Sequence, residues 1–163
     1  MTAPSAPQRT KRELQSAITH VAYEAEGMRR AARAFAQNSR RSDLEAALTH
    51  ARNLIEFFWA PSGSMRPHPD GVYAVHYITR SRWQTLRAPC SVRPSQHYDA
   101  LCAQLSHISV RRSSRDVRVN FGKMLPVLVS DLEAVWRDFF NELQATEWAS
   151  RLNRAVARWQ KAK

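Results

Sequence analysis

At 163 residues the chain fits one domain, and 25 Lys and Arg against 14 Asp and Glu leave a net charge of +11, which suits a polyanionic partner. Five Trp, six Phe and four Tyr with only four Gly favour helices over a strand-rich fold. Cys90 and Cys102 are too few for a disulfide framework or a zinc site, and no run of about 18 apolar residues is present to span a membrane, so a cytoplasmic protein is expected.

A polar, disordered leader is expected over residues 1–10, with no apolar segment of signal-peptide kind, followed by a single domain over 11–163. Leu14, Ile18, Val21, Ala25, Met28, Ala32 and Phe35 then recur at steps of four and three, which lines one face of a first helix. Ser42-Asp43-Leu44-Glu45 reads as a capping box that opens a second helix. Its stripe of Leu44, Leu48, Ala51, Ile55 and Phe58 is widened by Ala47, Leu54 and Phe57, which predicts a central position. Pro61, Gly63, Pro67, Pro69 and Gly71 mark a long loop. Val72 to Ile78 has no partner strand, so an extended segment or short helix is expected there.

Pro94 and Ser95 precede a third helix carrying Tyr98, Leu101, Leu105 and Ile108 on one face and ending near Arg111 and Arg112. A fourth begins around Pro126, placed in its first turn, and turns Leu132, Val135 or Trp136, Phe139 and Leu143 inward. Trp148, Leu152, Val156 and Trp159 oppose Arg151, Arg154 and Arg158 in a short basic amphipathic helix at the end. The fold class is therefore all-α: an up-and-down bundle of four to five helices with a long Pro/Gly-containing loop between the second and third.

Arg80, Arg82, Arg87, Arg93, Arg111, Arg112, Arg115 and Arg118 face only Asp99 and Asp116 in the stretch between 80 and 118, leaving it at +6. Guanidinium forks fit phosphate, and the interleaved Trp83 and Tyr98 suit base stacking, so RNA or another single-stranded nucleic acid is the expected partner class. A solvated basic loop is the plainer account of the same residues. On the third helix Gln104, His107 and Arg111 share an edge, where an imidazole next to a guanidinium is a minimal apparatus for metal-independent RNA cleavage; a structural histidine is the alternative. On the second helix His50, Arg52, Asn53 and Glu56 interrupt a core-forming run, and Arg52 and Glu56 stand at i and i+4, as for a simple pair. No Gly-rich phosphate loop, GxSxG or HExxH is present, His68 and His76 lack ligand spacing, and neither metal nor cofactor is expected.

Three stretches together, Ala51 to Phe58, Asp70 to Tyr77 and Leu105-Ser106-His107-Ile108-Ser109 with Arg112, resemble uncharacterised bacterial HEPN-like helical proteins. The resemblance implies a helical bundle, commonly a homodimer, from a superfamily rich in metal-independent endoribonucleases of defence and toxin–antitoxin systems. That superfamily's active motif is an Arg followed after four to six residues by a His. Here the positions upstream of His107 that should hold the Arg are Ala100, Leu101 and Cys102. The catalytic set the resemblance leaves is His107 as base with Arg112, Arg111 or Arg52 as phosphate stabiliser and Asn53 beside it. Arg80, Arg82, Arg87, Arg93, Arg115 and Arg118 would bind the nucleic acid. The other expectations are a non-catalytic basic module, or an interaction protein that docks an unidentified protein partner through the apolar stripe of its first or last helix.

Overall fold

The computed structural model describes residues 8–60, 68–87, 98, 101, 102 and 120–161. Among them are five α-helices and one 3₁₀ turn, and no strand: α1 (Lys11–Asn38), α2 (Arg41–Trp59), the turn at Ala74–His76, α3 (Arg80–Arg87), α4 (Phe121–Leu143) and α5 (Ala149–Lys161). The all-α bundle expected from composition and periodicity is what the chain forms.

The first helix starts where the sequence allows a reciprocal cap. Thr10 Oγ1 accepts from the Glu13 amide at 3.3 Å, and the Glu13 carboxylate accepts from the Thr10 amide at 2.7 Å, so two amides of the first turn are satisfied. Arg9, just ahead of the cap, donates from Nε to the Gly71 carbonyl at 3.1 Å and from Nη2 to the Pro69 carbonyl, tying the chain's entry to the turn before the 3₁₀ segment. The helix stops at Ser39, whose φ of 53° is left-handed and lets its amide reach the Phe35 carbonyl at 2.7 Å.

That tight exit corrects the expected start of α2. The helix begins at Arg41 with Arg40 as a cap residue that offers no side-chain bond, so Ser42 already lies within the first turn and does not cap it. Glu45 instead accepts from Arg41 at 2.8 Å, an exposed pair four residues apart. The two helices lie against each other more extensively than any other pair, and α5 is the next neighbour of α1.

The predicted stripes face inward. Ile18, Ala22, Ala25 and Met28 of α1 meet Ala47, Ala51, Leu54, Ile55 and Phe58 of α2, with Leu128, Leu132 and Phe139 of α4 closing the core. An aromatic cluster stands at its centre: Phe139 meets Phe57 and Phe58 edge-on with centroids 5.4 Å from each, and Tyr77 meets Trp148 at 5.2 Å. Edge-on geometry sets the positive rim of one ring on the negative face of the next. Tyr77 also donates to the Leu14 carbonyl at 2.8 Å, and burial pushes its phenol well above the usual tyrosine range.

Two further expectations are corrected here. Arg80–Arg87 is a helix and not a solvated loop, and it is anchored by Trp83 and Leu86, both buried among the core residues. Pro126 stands inside α4, five residues after its start at Phe121, because Asn120 caps that helix with its side chain on the Lys123 amide at 3.1 Å. Proline there forgoes a bond to the carbonyl four residues back, which belongs to Gly122, and its side chain stays on the exposed face, where water can take that carbonyl. No helix of the described residues is long and apolar enough to cross a membrane.

Candidate functional site

Two regions collect polar side chains against the bundle. The first is the edge of α2. Arg52 Nη2 donates to Asn53 Oδ1 at 3.2 Å, and one turn on, Glu56 accepts from the Tyr98 hydroxyl at 3.0 Å. Burial, followed by the Glu56 carboxylate and the Cys102 thiol, pushes the Tyr98 phenol above the usual range, so it remains a donor at neutral pH. This hydroxyl–carboxylate bond ties Tyr98, which the sequence suggested for base stacking, to the edge of α2. Of the expected catalytic set, Arg52 and Asn53 sit here side by side, half-buried. His107, Arg111 and Arg112 lie outside the described residues, as do Arg93, Arg115 and Arg118 from the expected binding set.

The remaining members of that binding set are on or beside α3. Arg80 is exposed at its start. Arg82 grips Glu142 of α4 with two parallel bonds, Nε to Oε1 at 3.1 Å and Nη2 to Oε2 at 2.6 Å, which draws Glu142 below the usual glutamate range. Arg87 lies over Trp83, its guanidinium carbon 3.5 Å from the ring centroid. Trp83 itself is only 1 % exposed and donates its indole N–H to the Phe58 carbonyl at 2.6 Å, so it is a core residue and offers no face for base stacking.

The second region was only half visible in the sequence. On α5, Leu152 and Ala155 are buried, and Trp159 tilts onto Tyr23 of α1 with centroids 4.8 Å apart. Steps of three and four place Arg151, Arg154 and Arg158 along the same side of α5, facing His20 and Tyr23 of α1 across a cleft of about 420 Å³. The expectation that these arginines oppose Trp159 is thereby amended: Trp159 lines the same cleft. The Arg158 guanidinium lies 5.6 Å from its ring centroid. Arg154 donates to Ser150 at 2.7 Å.

The acids closest in sequence to this cleft are engaged elsewhere. Glu147, ahead of α5, pairs with Lys11, Glu142 pairs with Arg82, and Glu24, the neighbour of Tyr23, bonds His50 Nδ1 at 2.6 Å. Helix α5 contains no acidic residue, and among the described residues no carboxylate reaches Arg151, Arg154 or Arg158 within 4.0 Å. By contrast Arg29, Arg41 and Arg82 each hold a glutamate. Among the described residues the cleft therefore carries positive charge that no carboxylate pairs, above an aromatic floor.

A groove of about 430 Å³ between α1 and α4, lined by Phe35, Leu125 and Val129, is the apolar counterpart, and Arg29 closes one side of it by bridging Glu26 at 2.7 Å and Glu133 at 3.1 Å. Among the described residues no three His, Cys, Asp or Glu side chains gather as metal ligands would. Set against family models, curated proteins and solved structures, the chain matches none.

Proposed function

We propose that the chain is a nucleic-acid-binding helical domain that holds the phosphate backbone of its ligand at the cleft between α1 and α5. The observation that supports this is the set of three α5 arginines without a carboxylate partner among the described residues, on a protein of net charge +11. Unneutralised guanidiniums repel one another, and a concave wall concentrates their field; a polyanion relieves both by replacing its counterions with the protein's charges. Water and salt can screen three such charges on a convex surface, but a cleft that also carries Tyr23 and Trp159 gives the anion shape as well as charge.

The test is a salt titration of binding to labelled RNA with the full chain. Affinity should fall steeply and log-linearly with salt, and Arg151→Gln, Arg154→Gln and Arg158→Gln together should lower the slope by about two to three. A wild-type affinity indifferent to salt would remove phosphate neutralisation as the driving force and the proposal with it.

A further inference from the structure

The geometry points to single-stranded nucleic acid as the ligand class of the α1–α5 cleft, with Trp159 as the platform for one unpaired base. The inference rests on the nucleic-acid-binding reading above and adds a choice of strand state to it.

Three features of the cleft favour a single strand over a duplex. The first is size: about 420 Å³ suits one nucleotide-sized group, whereas a duplex meets such a concavity only with the phosphates at its edge. The second is the pairing of chemistries. Arginines on one helix and aromatics at the helix–helix seam offer a backbone track and a π-face within one site, the combination that binds strands whose bases are free. In a duplex the base faces are stacked on one another, so an aromatic ring in a cleft contributes nothing to holding it.

The third is the state of the Trp159 ring. Tyr23 supports it from α1 at a 58° tilt, and the Arg158 guanidinium stands 5.6 Å from its centroid. Arg87 over Trp83, at 3.5 Å, shows a guanidinium closed down on an indole in the same protein. The wider spacing at Trp159, which is half-buried where Trp83 is fully buried, leaves ring surface in the cleft for a planar group with a cation beside it. Along α5 the ladder from Arg151 to Arg158 covers about 10 Å, enough to meet the phosphates that flank the stacked base.

Fluorescence anisotropy on the full-length protein separates the possibilities. The probes are a labelled oligouridylate, a duplex of equal length and phosphatidylserine vesicles. The strand should bind at least about tenfold tighter than the duplex. Trp159→Ala should weaken strand binding by about fivefold or more and duplex binding by clearly less, and Trp159→Phe, which keeps a ring on Tyr23, should retain most of the affinity. Arg154→Gln, at an exposed position, should weaken the binding of both nucleic acids. Equal affinity for strand and duplex, or a Trp159→Ala protein that binds the strand as wild type does, overturns the single-strand inference while the nucleic-acid reading stands. Binding to the vesicles with none to either nucleic acid overturns both, and so does binding to no probe at all.

Discussion

The indole N–H of Trp83 donates to the carbonyl of Phe58 at 2.6 Å, which fastens the arginine-bearing helix α3 to the last turn of α2. Phe58 belongs to the set of carbonyls at a helix end that have no partner within the helix, and here the partner comes from another element. Trp83→Phe keeps most of the apolar volume but leaves that carbonyl buried without its donor. The expected cost is about 1 to 3 kcal/mol, read as a lower midpoint in urea unfolding at unchanged m-value. An unchanged midpoint would mean that water replaces the indole freely and that α3 is held by packing alone.

Arginines count unequally towards the binding of a polyanion, because some are already neutralised. Arg82 is held by Glu142 in a two-bond pair, and Arg154 faces no carboxylate among the described residues. At moderate salt Arg82→Gln should therefore change RNA affinity less than Arg154→Gln does, because Glu142 already neutralises the charge that is removed and salt screens the repulsion of the acid that is freed. Glu142→Gln should strengthen binding by releasing Arg82. Anisotropy titrations of the three variants settle the order, and an Arg82→Gln loss equal to that of Arg154→Gln would move the interface to α3.

The cap of α1 gives a pH dependence with a definite sign. Side-chain and backbone hydrogen bonds with Thr10 hold the Glu13 carboxyl below its ordinary value of 4.5. A carboxylate stabilised in the folded chain contributes fully above the unfolded value, and its contribution is lost as pH falls through the folded one. The first turn of α1 should therefore fray in acid below about 4.5 and stay closed at neutral pH. Amide exchange at Glu13 and Leu14 measures this, and Glu13→Gln, which keeps an acceptor but no charge, should flatten the acid dependence.

Much of the bundle was legible because its signals are periodic. The stripes from Leu14 to Phe35 and from Leu44 to Phe58 repeat over several turns, so a misplaced residue changes nothing about which face is buried. The cap signals were not legible in the same way. Thr10-Lys11-Arg12-Glu13 and Ser42-Asp43-Leu44-Glu45 have the same spacing, yet only the first caps a helix, because the left-handed Ser39 brings the chain back into helix before Ser42 is reached. Helix α3 escaped notice since Arg80, Arg82 and Arg87 dominate its composition, and its two inward residues, Trp83 and Leu86, are too few to show a period. The site was half legible for a related reason. The basic face of α5 can be read from spacing, but that Tyr23 of α1 completes a cleft with Trp159 depends on a contact between residues far apart in sequence.

Gly27 lies in the middle of α1, where alanine would ordinarily be the better helix former by about 1 kcal/mol. A Cβ built there, however, comes within 2.6 Å of the His50 ring, closer than two such atoms can approach. The ring cannot simply swing aside, because its Nδ1 bonds Glu24 at 2.6 Å and it packs nearly perpendicular to the Tyr23 ring with centroids 5.2 Å apart. Gly27→Ala is therefore expected to destabilise the fold by about 1 to 3 kcal/mol despite its helix propensity. Paired with His50→Ala the loss should shrink, giving a coupling of at least about 0.5 kcal/mol in a double-mutant cycle followed by thermal or urea unfolding. Tyr23 also forms the floor beneath Trp159, so the single variant should weaken RNA binding while the cleft's arginines remain intact. Additive effects of Gly27→Ala and His50→Ala would show that the His50 ring yields without cost, and unchanged RNA binding by Gly27→Ala would show that the α1–α2 seam does not position the cleft.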